Sequence, residues 1–273
     1  MTPVDRAALL ATVERSPQAA AARDRTGWVG LFTADGRIED PVGSRPHMGH
    51  EQIGRFYDTF IGPRDIKFHR DLDIVCGHVV LRELELEVAM GPAVTMHIPA
   101  FLRYDLKQHL QTDLREANGQ WRIAQLRAYW ELPAMMLQFL RSGPQALPPA
   151  LRLARGLLGN QGLRGTAGFM TGFRRAGARQ KKLVQTFVGD TARDDKAAAL
   201  SALSSTAAIT LGDNDAFDLA ELAAQLDGAA ITKMNGAGST VAVSLNSGHG
   251  RALMFADVAW RGNTINRIRY FPA

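Results

Sequence analysis

Apolar and polar positions alternate between residues 77 and 106, where Leu81, Leu84, Leu86 and Val88 stand among charged neighbours and turns fall at Gly77 and Gly91-Pro92. This is the pattern of half-buried strands, and it predicts strands near 77–90 and 93–106. Similar runs predict strands near 66–75 and 119–130 and a short one over 36–40. Helical spacing takes over elsewhere. Residues 5–15 read as a first helix, and Ser16-Pro17 as a cap followed by a first-turn proline that opens a second helix toward Phe32. Ile53, Phe56 and Tyr57 recur at helical intervals, so a further helix begins near Gly49 and runs to about residue 60. Helices followed by a curved antiparallel sheet make an α+β plan.

From about residue 180 the plan repeats. Residues 195–211 can be laid without a gap on residues 24–40, which sets Leu203 on Phe32, Ile209 on Ile38 and Leu211 on Asp40. Near the end, Ile265-Asn266-Arg267-Ile268-Arg269-Tyr270-Phe271 follows Ile123-Ala124-Gln125-Leu126-Arg127-Ala128-Tyr129. The chain is therefore expected to hold a first domain over 1–133, a basic helical connector over 134–179 and a degenerate second copy over 180–273.

Composition changes this picture in two places. With 273 residues, 46% of them apolar, a net charge of +5 and a mean hydropathy of −0.12, the chain is long enough for two cores. Its one cysteine, Cys76, excludes an internal disulfide and a cysteine-rich zinc site, and reads as a buried thiol. No basic leader with an apolar core and no run of about 20 apolar residues is found, so neither export nor a membrane span is expected, and a cytoplasmic location is. The second place is residues 134–182, which hold Arg141, Arg152, Arg155, Arg164, Arg174, Arg175, Arg179, Lys181 and Lys182 but no Asp or Glu. Leucines, methionines and phenylalanines are mixed among them. The segment reads either as a packed linker with its arginines in solvent or as amphipathic helices that meet an anionic membrane surface or an acidic partner. Few aromatics accompany the charge, so nucleic acid is not an expected partner.

Candidate chemistry centres on Ile38-Glu39-Asp40-Pro41-Val42-Gly43-Ser44-Arg45-Pro46-His47-Met48-Gly49. A strand stops at Asp-Pro and a Pro/Gly-rich loop leads into a helix. Asp40 is either a turn residue before proline or, if shut among apolar groups, a carboxylate whose raised proton affinity suits a general base. His47 and His50 have ligand-like spacing with only Glu51 as a nearby acid, so no metal is expected. His97 could reach a pocket only if a bulge at Pro99 shifted its strand. No phosphate loop or serine-nucleophile motif is present, and no cofactor is expected.

The segment around Asp40, with the Gln52-Ile53 and Phe56-Tyr57 pairs and the later Ala128-Tyr129-Trp130, resembles the bacterial ketosteroid isomerases of the nuclear transport factor 2-like (SnoaL-like) superfamily over about residues 5–132. The resemblance implies cone-shaped domains, a hydrophobic small-molecule substrate in the first, and two copies that pack as an intramolecular pseudo-dimer. It implies that Asp40 is the general base of an isomerase reaction of the steroid delta-isomerase type, with cyclase and dehydratase chemistry as relatives, that Tyr57 belongs to the pocket's hydrogen-bond network, and that Trp130 is a pocket wall. Phe32, Phe56, Ala100, Phe101 and Tyr129 complete the expected substrate-binding set, with Tyr57 as donor to a developing enolate. The chain departs from the family where an oxyanion hole is built from a tyrosine and a protonated aspartate: Ser16 and Ala100 occupy those places. Without these donors, a non-catalytic ligand-binding or scaffold protein of the same fold is the alternative.

Overall fold

The computed structural model of the protein describes residues 5–109, 120–162, 168, 171–173, 175–260 and 263–273. Two compact units divide the chain, Met1–Phe173 and Arg174–Ala273.

In the first unit, helix α1 (Arg6–Ala21) starts where the Asp5 carboxylate accepts from the Ala8 amide at 3.1 Å, and α2 (Arg25–Gly30) starts where Asp24 does the same for Gly27 at 2.8 Å. Strands β1 (Phe32–Glu39) and β2 (His47–Met48) follow, then α3 (Gly49–Phe56), which loosens into a π-helical turn at Tyr57–Ile61. Long strands come next: β3 (Asp65–Cys76), β4 (Val79–Gly91), β5 (Val94–His109) and β6 (Gln120–Tyr129). The sheet order is β2-β1-β6-β5-β4-β3, with β1 parallel to β6 and the other neighbours antiparallel. Because side chains alternate across a strand, Val80, Leu84 and Val88 of β4 and Met96, Ile98, Ala100 and Leu102 of β5 share one core with Leu9, Val13, Trp28 and Ile53 of the helices.

Two expectations need correction. Helix α1 runs unbroken through Pro17 to Ala21 rather than restarting there; a proline so near a helix's end forfeits little beyond its own hydrogen bond. Cys76 is half-buried at the end of β3. Beyond β6, helices α4 (Leu132–Arg141) and α5 (Leu147–Gly156) belong to the first unit, and the His97 amide donates to Gln138 Oε1 of α4 at 3.0 Å. Arg164 and Arg174 of the basic segment lie outside the described residues.

The second unit holds α6 (Ala178–Ala192), α7 (Lys196–Ser201), β7 (Leu203–Leu211), β8 (Asp215–Ala216), α8 (Leu219–Gln225), β9 (Ala230–Ala237), β10 (Thr240–Ser247), β11 (Gly250–Val258) and β12 (Ile265–Pro272). Its sheet order, β8-β7-β12-β11-β10-β9, is the first sheet's order repeated, with β7 parallel to β12. The register repeats as well. Phe32 stands opposite Ile123 and Ile38 opposite Leu126, as Leu203 stands opposite Ile265 and Ile209 opposite Ile268. Asp195 caps α7 as Asp24 caps α2, and Arg23 and Asp194, one residue before each cap, share the left-handed conformation at φ 55° and 56°. Non-glycine residues rarely adopt that conformation, so its recurrence at matching places marks one α+β unit built twice.

Candidate functional site

Asp40 lies one residue beyond β1, where the chain turns into the loop before β2. That turn is held from both sides: the Val42 amide donates to the Ala128 carbonyl at 2.8 Å, and the Gly43 amide to the Glu39 carboxylate at 3.0 Å. Residues 168 and 171–173 lie along the same loop, with the Arg45 amide donating to the Gly168 carbonyl and the Thr171 hydroxyl to the Gly43 carbonyl, both at 3.0 Å. Trp130 follows the last residue of β6, the strand parallel to β1, so its indole is carried to the same end of the sheet. Its Nε1 donates to Asp40 Oδ1 at 2.5 Å.

The Asp40 carboxyl opens on a cavity of about 100 Å³. Phe56 of α3, Phe60 and Ile61 of the π turn, and Ile66, Leu86, Val88, Met90, Met96 and Ile98 of the β3–β5 strands line it. Met135 of α4 and Leu153 of α5 add a wall from the helices that the sequence placed in a connector. Besides Asp40, the side chains in this lining with nitrogen or oxygen atoms are Trp130 and Arg64. Loss of water in such surroundings disfavours the charged form. Burial raises the Asp40 carboxyl to a pKa of about 6, and the Trp130 hydrogen bond offsets only part of that rise. The residue as a whole remains partly exposed, so it is the carboxyl end that is enclosed. At neutral pH the site presents a carboxylate that readily takes up a proton, oriented by an indole in a cavity whose wall is apolar apart from Trp130 and Arg64.

Of the residues the sequence singled out, Asp40, Phe56 and Trp130 meet at this cavity. The others do not line it. Phe32 is fully buried in the core against Trp28, with ring centroids 5.1 Å apart, and Ala100 is buried opposite Leu84. Phe101 and Tyr129 face each other across β5 and β6 outside the core cluster that holds Ala100, Leu102, Ala128 and Trp130. Alternation requires this, since adjacent strand residues point to opposite faces. Tyr57 is buried against Trp28 at 5.4 Å, and its hydroxyl has no hydrogen-bond partner among the described residues. Burial raises its proton affinity, as do Asp24 and Asp58, while Arg23 and Arg25 oppose them. The hydroxyl is therefore near the charged pairs at the ends of α1 and α2, not at the cavity wall. Ser16 hydrogen-bonds Tyr104, which burial also raises, so it too supplies no donor to the cavity.

The histidines serve other ends. His47 rests on the Phe56 ring at 5.1 Å, and burial with Arg45 and Arg55 nearby lowers its pKa to about 4. His50 pairs with the Phe32 carbonyl at 3.0 Å. His97 lies exposed against Glu85 at 2.9 Å, because the β4–β5 register passes Pro99 without a bulge. Pro99 stands opposite Glu85 of β4, and the register of β5 with β6 begins at Phe101. Among the described residues, no three His, Cys, Asp or Glu side chains are grouped to hold a metal ion. Sequence reasoning missed Arg64 and the methionines of the wall. The Gly62-Pro63-Arg64 step from helix to strand was the available signal, since a basic side chain there can turn back on the helix's last carbonyls.

Residues 8–126 match the nuclear transport factor 2 (NTF2) domain. Among solved structures, RV0760c from Mycobacterium tuberculosis is 23% identical with a TM-score of 0.39, over 46% of this chain and 92% of its own, and has also been solved in complex with estradiol-17beta-hemisuccinate. Delta 5-3-ketosteroid isomerase from Mycobacterium sp. is 25% identical with a TM-score of 0.35, over 47% and 96%. SalBIII, an epoxide hydrolase/cyclase-like enzyme in pyran ring formation in salinomycin, is 19% identical with a TM-score of 0.40, over 47% and 95%. No curated protein matches the chain.

Proposed function

We propose that the NTF2 domain of residues 8–126, completed by α4 and α5, is a proton-transfer enzyme acting on a hydrophobic carbonyl compound, with Asp40 as general base. The observation that carries this reading is the Asp40 carboxyl, raised to about 6, at the wall of an otherwise greasy cavity. A base whose pKa lies near the working pH combines a deprotonated ground state with real affinity for a proton on carbon. In a β,γ-unsaturated ketone, Asp40 takes the proton from the carbon between the carbonyl and the double bond. The electrons move into a dienolate, and the protonated Asp40 returns the same proton to the far carbon to give the conjugated enone. Trp130 fixes the carboxylate's orientation, and the apolar wall excludes water.

Size sharpens the substrate. Small-molecule pockets commonly measure about 300–1,000 Å³, whereas this cavity is about 100 Å³. One- or two-ring ketones suit it better than a four-ring steroid, which would have to displace Met135 and Leu153. Each missing oxyanion donor is worth about two to three orders of magnitude in rate, and neither Ser16, Ala100 nor Tyr57 reaches the cavity. Catalysis slower than that of a complete isomerase site is the expected result. The same lack of donors supports the second reading, a ligand-binding protein without chemistry.

Following conjugated-enone absorbance with 3-cyclohexen-1-one and with a 5-ene-3-ketosteroid, for the wild type and Asp40→Asn, decides between them. The enzyme reading expects turnover of the smaller ketone and a loss of about 100- to 10,000-fold in the variant; turnover that is absent or indifferent to the substitution removes it.

Two further proposals concern the rest of the chain. The second copy serves as an in-chain partner in place of a second subunit. Exposed Leu140, Leu147, Leu151 and Leu158, beside Arg141, Arg152 and Arg155, support contact of this helical segment with an anionic membrane surface. Co-sedimentation with phosphatidylserine vesicles but not with neutral ones is the expected result. No helix among the described residues is long and apolar enough to cross a membrane.

A further inference from the structure

Arg64 is out of place in this cavity. It lines the same space as Asp40, among isoleucines, phenylalanines and methionines. Its Nη1 donates to the Thr59 carbonyl at 2.5 Å and its Nε reaches the Met90 sulfur at 3.3 Å. Both acceptors are neutral, and a thioether is a weak one. Among the described residues no carboxylate pairs with it: Asp65 goes to Arg23 at 2.8 Å, and Asp58 goes to Arg25 at 2.7 and 2.9 Å. Burial lowers the guanidinium's proton affinity with no acid to restore it. Asp40 does not answer the charge either, since only Trp130 counteracts the effect of burial on its carboxyl. The two ionisable groups share one cavity without being each other's partner.

A cation taken out of water is costly unless an anion and further hydrogen bonds compensate it. The Thr59 bond explains one N–H, as a clip on the carbonyls that end the π turn. It does not explain a guanidinium left at the wall of a cavity of about 100 Å³ with a planar fork of five donors, most of them unused by those two bonds. That fork matches the two oxygens of a carboxylate.

We propose that Arg64 is an anion-binding residue of this cavity, and that the ligand is a hydrophobic carbonyl compound bearing a carboxylate, which Arg64 holds while the reactive carbon lies at Asp40. This rests on the reading of the cavity as the ligand site. It supplies a positioning interaction that a purely apolar pocket lacks. A carboxylate anchor fixes which carbon meets the base, and so compensates in orientation for what the missing oxyanion donors leave undone.

Matched probes test the two ideas separately. 4-Phenylbutanoate and 4-phenylbutanamide have nearly the same shape and differ in charge, and their affinities can be measured by isothermal titration calorimetry on the full chain. The expected result is a preference of about tenfold or more for the carboxylate in the wild type. In Arg64→Met, which keeps the apolar stem and removes the charge, the preference disappears while the amide binds as before. Arg64→Lys, which keeps charge but not the fork, retains part of the preference, so a fold defect in the methionine variant would not hide the answer. Equal binding of both probes by the wild type, or a preference that survives Arg64→Met, overturns the role of Arg64 while leaving the cavity reading intact. Failure of the wild type to bind either probe removes the cavity reading and this inference together.

Discussion

The two units share a strand order and a register, yet they differ at the place of the Asp40 carboxyl, by one residue and one extension. In the first unit the residue after β1 is Asp40; at the matching place the second has Leu211, which packs against its own hydrophobic core. The extension is in the sheet. Gly77 and Gly238 turn the matching hairpins at φ 53° and 54°, and the hydrogen bonds Leu106 N to His78 O and Val258 N to Ser239 O close them alike. Counted outward from that shared end, β4 runs 13 residues against 8 in β10, and β5 runs 13 from Leu106 back to Val94 against 9 in β11 from Val258 back to Gly250. The residues present only in the longer hairpin include Val88, Met90 and Met96, which wall the cavity. β3 outruns β9 in the same direction, 12 residues against 8, and so adds Ile66. In the first unit, the residues that these longer strands add stand in the wall that shields the Asp40 carboxyl from water.

The comparison can be broken from either side. The largest effect is expected from Phe187→Ala in α6, a fully buried core residue of the second unit, which should cost about 3–5 kcal/mol. Urea unfolding measures that loss; a second copy with a purely structural role predicts unchanged titration of Asp40 in the molecules that remain folded.

Next in size is Asp40→Asn, which should stabilise. The folded carboxyl holds its proton more tightly than the unfolded one, so its contribution is fully present below about pH 4 and is lost as pH rises through about 6. At pH 7 the buried charge is a burden of up to about 3 kcal/mol. The asparagine variant should therefore unfold at higher urea than the wild type at pH 7 and at nearly the same urea at pH 4. No gain at pH 7 would mean that the carboxyl is not desolvated.

The smallest effects should be equal in both copies. Asp24→Ala and Asp195→Ala each remove an exposed N-cap, on α2 and α7, and each should cost about 1 kcal/mol by thermal unfolding. A large inequality would show that the matching registers conceal different local structures.

How much could be read from the chain follows from what kind of physics each feature obeys. The repeat, the order of elements and Asp40 at a strand's end were legible because hydrophobic period and the Asp-Pro turn are local. Trp130 and Phe56 came from the resemblance to the ketosteroid isomerases rather than from any local pattern. Alternation accounts for Phe101 and Tyr129, which cannot share a face with Ala100 and Trp130 although they were expected beside them. Phe56 and Tyr57 parted for the helical counterpart of that reason, since successive residues on a helix point about 100° apart. Arg64, Met135 and Leu153 were not legible. They reach the cavity through long-range packing of a helix end and of helices after the sheet, which no short window of sequence contains.

Direct titration of the Asp40 carboxyl tests the central claim, by carbon-detected NMR on protein labelled at the aspartate carboxyl and assigned by its absence in Asp40→Asn. The account predicts a midpoint at about pH 6; a midpoint near the ordinary aspartate value of about 3.9 would contradict it.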